Sequence, residues 1–121
     1  MIIPILKIGD VLIVTIQTEL TDREIEELSH DILDQIKKVG ARGVVIDISA
    51  LKTVDSYMAR SLNSIASASM LLGSETVVVG IQPAVALTLV ELGLRVSWGV
   101  KTALNLEKGL EMLKVNVKKS G

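Results

Sequence analysis

Asp55 and Ser56 are the residues best placed for chemistry in this chain, because they stand between an apolar run and a long stretch of small and apolar residues at helical spacing. Both are preferred helix N-caps, and either side chain could accept a backbone N–H of the first turn. A serine there has a second use: free N–H groups and the positive end of the helix dipole favour an anion, so Ser56 could carry a phosphate. Phosphorylation adds about −1.5 to −2 charges at pH 7 and would oppose a partner docked on that helix. Residue types alone keep both readings open, cap and phosphoacceptor. The surface such a partner would meet is read as Asp55, Ser56, Tyr57, Met58, Arg60 and Ser64, with Ser67 and Leu71 at its margin. Tyr and Arg are frequent binding hot spots, and small serines allow close approach. Thr88, inside a later helical segment, is read first as bonded to a preceding carbonyl and second as a further phosphoacceptor.

Competing chemistry is sparse. The one histidine, His30, shares a helical face with Glu26, Glu27, Asp31, Asp34 and Lys37, the pattern of a solvated surface. A Ser-His-Asp relay from Ser56, His30 and Asp55 would require adjacent residues on one turn to flank an imidazole, and no Gly-x-Ser-x-Gly elbow is present. The phosphate-loop pattern is absent, and Gly40-Ala41-Arg42-Gly43 precedes an apolar run instead of following one. With no cysteine there is neither a disulfide nor a thiolate metal site. No catalytic, cofactor-binding or metal-binding residue is therefore assigned.

The elements that must position Asp55 and Ser56 follow from periodicity. Ile2 to Ile8 and Val11 to Gln17 are β-branched-rich runs joined by Gly9-Asp10, a hairpin signal. Thr21-Asp22-Arg23-Glu24 is a capping box, and Ile25, Leu28, Ile32, Ile36 and Val39 then recur at helical spacing up to Gly40. Gly43 to Ile48 reads as a strand buried on both faces. From Asp55 to Leu72, Met58, Leu62, Ile65 and Leu72 keep helical spacing with Ser69 in one gap, and Gly73 ends the run. Val77 to Val79 is another buried strand, continued by Gly80 and Ile81. Pro83 sits where a helix would have its first turn, followed by Ala86, Leu89 and Leu92 before Gly93. Val96-Ser97-Trp98 is a weak strand candidate, Leu104, Leu106, Leu110 and Leu113 mark a last helix, and residues 115–121 read as a frayed tail. The expectation is one α/β domain over residues 1–121, a mixed sheet with helices mainly on one face.

Composition narrows the function classes. The 121 residues are 49% hydrophobic, with a single Trp, a single Tyr and no Phe, so the core is built from aliphatic side chains. Mean hydropathy is +0.50, but polar residues and glycines interrupt every apolar stretch before it reaches a membrane span of roughly 20 residues. No signal-peptide pattern opens the chain, and a cytoplasmic location is expected. A net charge of −1 gives no reason to expect nucleic acid or membrane as a partner. High apolar content instead suggests surfaces buried between protein molecules, in a homo-oligomer or a large hetero-oligomer.

At Val44-Val45-Ile46-Asp47 followed by Asp55-Ser56, the chain resembles the STAS family, the sulfate transporter and anti-sigma factor antagonist domains. It is more similar to the stressosome branch and its short single-domain antagonists, through Ile16-Gln17-Thr18-Glu19-Leu20, Gly43 to Ile48 and the run Gly80-Ile81-Gln82-Pro83-Ala84-Val85-Ala86-Leu87-Thr88-Leu89-Val90-Glu91-Leu92-Gly93. The resemblance implies a scaffold, not an enzyme, that sequesters a serine/threonine switch kinase and releases it when Ser56 is phosphorylated. It also implies sensor-bearing STAS co-antagonist paralogues as assembly partners and a phosphatase that resets phospho-Ser56. Tyr57-Met58 follow Asp-Ser here, where the anti-anti-sigma branch has a small hydroxyl residue and Gly, which disfavours direct docking of an anti-sigma kinase. That role and a nucleotide-binding STAS-like module are the alternatives.

Overall fold

In the computed structural model, residues 3–93 and 99–120 are described, the last seven of these by backbone alone. Strands β1 (Ile5–Ile8) and β2 (Val11–Thr15) form an antiparallel hairpin in which Ile8 pairs with Val11 across Gly9 and Asp10. Gly9 takes φ 61°, the sign that a two-residue turn with glycine first demands. Strands β3 (Gly43–Asp47), β4 (Glu75–Val79) and β5 (Lys101–Ala103) extend the sheet in parallel, in the order β1-β2-β3-β4-β5. The ladder also continues past the strand ends, with the Ile16 N–H donating to Asp47 O and the Ile48 N–H to Val79 O.

Helices α1 (Asp22–Val39), α2 (Ser56–Leu71) and α3 (Pro83–Glu91) are the crossovers between successive parallel strands. Because such crossovers are right-handed and the strand order never reverses, all three fall on one face of the sheet. The final helix, α4 (Leu106–Ser120), follows the last strand and packs on β3, β4 and β5. Strand alternation separates two cores. Leu12, Val14, Val44, Ile46 and Val78 lie beneath α1 to α3, and Val11, Ile13, Val45, Val77 and Val79 face Leu113 of α4. Gly109 lets α4 come close: a Cβ there would stand 2.7 Å from Val79 Cγ1.

The α/β class, the mixed sheet and the predominance of helices on one face match the sequence reading, and several details do not. The hairpin strands are shorter than the apolar runs, and Ile2 lies outside the described residues. Leu72 is exposed at the C-cap of α2, and the buried stripe there is Met58, Ala59, Leu62, Ile65, Ala66 and Ser69. In α3 the inner side chains are Val85 and Leu89, whereas Ala86 and Leu92 are exposed. That helix is apolar on nearly every side, so spacing could not select its inner face. The candidate strand Val96 to Trp98 lies outside the described residues, and a three-residue edge strand forms at Lys101–Ala103. Helix α4 runs to Ser120.

Candidate functional site

The loop between β3 and α2 carries Asp55 and Ser56, and apolar anchors fix its path. Leu51 and Val54 are buried in the core, and the Leu51 N–H donates to Ile48 O at 2.9 Å, closing a turn directly after β3. On one side the loop is tied to β2–α1, where Thr53 Oγ1 donates to Glu19 Oε1. On the other it meets the end of β4. Gln82 Nε2 donates to Ser49 O at 2.6 Å, and the Ser49 N–H donates to Asp47 Oδ1 at 2.8 Å. Gly80 makes that approach possible: its φ is 76°, and a Cβ there would stand 2.7 Å from Ser49 Cβ and 3.0 Å from Asp47 Oδ1. The loop is thus pinned from below and from both flanks before α2 begins.

Asp55, not Ser56, caps α2. Asp55 has extended backbone at φ −85° and ψ 175°, and its Oδ1 accepts the Met58 N–H at 2.8 Å. Ser56 is the first helical residue and is half-buried, and among the described residues its hydroxyl makes no hydrogen bond. The cap reading therefore falls to Asp55 alone. The carboxylate fills the cap position, and the neighbouring hydroxyl is left available beside the N–H groups of the first turn.

From Tyr57 onward, Arg60, Ser64, Ser67 and Leu71 succeed one another at spacings of three and four, and all five are exposed, so they form one stripe along the outer face of α2. Met58 does not belong to it. At 4% exposure it points into the core with Leu62 and Ile65, and its part in the site is the backbone N–H that Asp55 accepts. Thr88 does belong to the neighbourhood: it lines a cavity of about 360 Å³ with Glu19, Leu20, Thr53, Asp55 and Met58. Its Oγ1 donates to Ala84 O at 3.0 Å, the bond to a preceding carbonyl that a threonine within a helix favours.

Residue-level reading missed the outer face of α3. Leu87 and Val90 are exposed on a helix that stands beside the N-terminal end of α2, as the shared cavity at Thr88 shows. The available signal was that helix's excess of apolar residues, more than one buried face can absorb. Among the described residues no group of His, Asp and Glu is arranged to hold a metal ion, and His30 is exposed on α1. No helix among them is long and apolar enough to cross a membrane. The site therefore offers a hydroxyl without a hydrogen bond, a carboxylate cap and a mixed polar and apolar surface.

The family described as STAS domain matches residues 3–109. A co-antagonist protein of Bacillus subtilis, RsbRD, described as an RsbT co-antagonist, is 32% identical over 108 residues, which are 88% of this chain and 38% of that protein. The chain thus spans well under half the length of that relative. Among solved structures, RsbS from Moorella thermoacetica, carrying a glutamate in place of one serine, superposes with a TM-score of 0.82 at 44% identity, covering 96% of this chain and 97% of that one. A chain from a structure described as the molecular architecture of the stressosome, a signal integration and transduction hub, gives 0.80 at 45% identity, covering 95% and 99%.

Proposed function

The chain belongs to the STAS domain family, and from that premise we propose that it is a non-catalytic stressosome scaffold that holds a serine/threonine switch kinase and releases it when Ser56 is phosphorylated. One observation carries the reading. The Asp55 carboxylate occupies the cap of α2, so the Ser56 hydroxyl at the first helical position is free to accept a phosphate without loss of the helix start. A phosphate there would add about −1.5 to −2 charges beside Asp55 and Glu19, on a surface whose neighbours are Tyr57, Arg60 and the apolar face of α3. A partner that buries this surface would have to desolvate the new charge, which favours release.

The relatives support the assembly half of the proposal. One that matches nearly end to end belongs to a stressosome structure, and another is by name a co-antagonist of RsbT. Sensor-bearing co-antagonists are accordingly the assembly partners, an RsbT-type protein is the kinase, and a phosphatase restores the free hydroxyl of Ser56.

The test is capture of RsbT on immobilised full-length chain. Ser56→Ala retains capture and takes up no phosphate from ATP, whereas Ser56→Asp captures about tenfold less or weaker still, a difference of roughly 1.4 kcal/mol in binding. Equal capture by the two variants overturns the switch. Phosphate appearing on another residue in place of Ser56, read by mass spectrometry, overturns the assignment of the acceptor.

A further inference from the structure

Three hydroxyls are buried where the C-terminal end of α2 meets the start of β4. Ser69 is 0% exposed, Ser74 2% and Thr76 4%, and among the described residues the side-chain oxygen of each lacks a hydrogen-bond partner. Other hydroxyls in this fold are satisfied by the carbonyl one turn back: Ser29 Oγ donates to Ile25 O at 2.9 Å, and Thr88 Oγ1 to Ala84 O at 3.0 Å. Ser69 sits in a helix as they do and does not use that option.

The three positions share one joint. The Ser74 N–H donates to Ser69 O at 2.9 Å, which sets the two serines side by side. Thr76 lies two residues further along the strand, so by alternation it faces the helix side of the sheet, the side of Val78. Helix α2 packs across β4 on that side. An apolar side chain at Thr76 would close the joint dry, as Val78 does one repeat along.

We propose that Ser69, Ser74 and Thr76 form the wall of a buried solvent site holding an ordered water that bridges α2 to β4. A buried water makes about three hydrogen bonds, and these hydroxyls supply three partners, each able to donate or accept. The water satisfies groups whose burial without partners is unfavourable. It also explains why the buried stripe of α2 changes from Met58, Leu62 and Ile65 to a serine at its last position.

A high-resolution crystal structure of the full chain shows ordered density within hydrogen-bond distance of at least two of the three oxygens. Ser69→Ala and Thr76→Val each lower the melting temperature by about 3 °C or more, because each leaves the water short of a partner. Melting temperatures that stay level or rise mean that the hydroxyls are dry, since removing an unsatisfied buried polar group does not destabilise, and the proposal falls. A well-ordered joint without solvent density overturns it whatever the variants do.

Discussion

The two ends of α2 are held by opposite means. At the N-terminal end a charged side chain does the capping from outside the core, while Met58, Ala59 and Leu62 make the buried contact entirely apolar. At the C-terminal end Leu71 and Leu72 are exposed, and the buried positions include the hydroxyl-bearing Ser69, Ser74 and Thr76. Serines occur at both ends with reversed roles: Ser56 is left available at the helix start, and Ser69 is turned fully into the joint. A helix that presents a modifiable hydroxyl needs its start fixed by something other than that hydroxyl, and Asp55 with the apolar anchors supplies this.

The largest expected effect tests the anchoring itself. Met58→Ala removes a buried side chain and costs about 2–5 kcal/mol in urea denaturation, whereas Leu71→Ala at the exposed end stays within about 0.5 kcal/mol. Comparable losses at both positions would erase the contrast. Next in size is the cap. Asp55→Ala costs about 1 kcal/mol, within a range of roughly 0.5–2, and Ser56→Ala less than about 0.5 kcal/mol. A reversed order would make Ser56 the cap and remove the freedom on which the switch depends.

The smallest effect sharpens the comparison from outside α2, because α1 begins with a reciprocal capping box and α2 with a single carboxylate. Thr21 Oγ1 accepts the Glu24 N–H at 3.1 Å, and the Thr21 N–H donates to Glu24 Oε1 at 3.0 Å. That backbone hydrogen bond, followed by the bond with the Thr21 side chain, lowers the carboxyl of Glu24 below its ordinary value of 4.5. A carboxylate lowered in the folded state stabilises above its unfolded value and loses that contribution as pH falls through its folded one. The stability advantage of the native chain over Glu24→Gln, measured by thermal melts, therefore shrinks as pH is lowered from neutral through the carboxylate range. An advantage unchanged by acid would show that the charge of Glu24 plays no part in the box.

Some of this was legible in residue order and some was not. The box at Thr21 and Glu24 is spelled by spacing alone, because both of its bonds are local. The site's start was equally visible, but Asp55 and Ser56 are both good caps, and only backbone geometry decides which one caps. Met58 was read as a contact residue although its spacing to Leu62 and Ile65 already placed it in the core. The outer face of α3 was hidden for the opposite reason, since Ala, Val and Leu on every side leave no periodic contrast. Strand β5 escaped notice because three residues at a sheet edge, two of them exposed, carry no pattern. The solvent joint escaped notice because spacing marks Ser69 only as a gap in an apolar stripe and gives no sign that Ser74 and Thr76 are buried.

Strand order along the sheet equals strand order along the chain, with a hairpin at the first edge. Each strand pairs with its predecessor, so none has to enter a gap between two strands already in place. Loop closures stay short, and mixed α/β domains with such local pairing fold faster than sheets built from distant segments. During synthesis the sheet can grow one strand and one helix at a time behind the hairpin, with each new strand covering the open edge of the last. The β3–α2 loop is flanked by the β2–α1 connection as soon as it emerges, and it acquires its other flank when Gly80 and Gln82 follow. The side-chain hydrogen bonds that hold the β3–α2 loop and cap α2 thus all come from residues that precede the last helix in the chain.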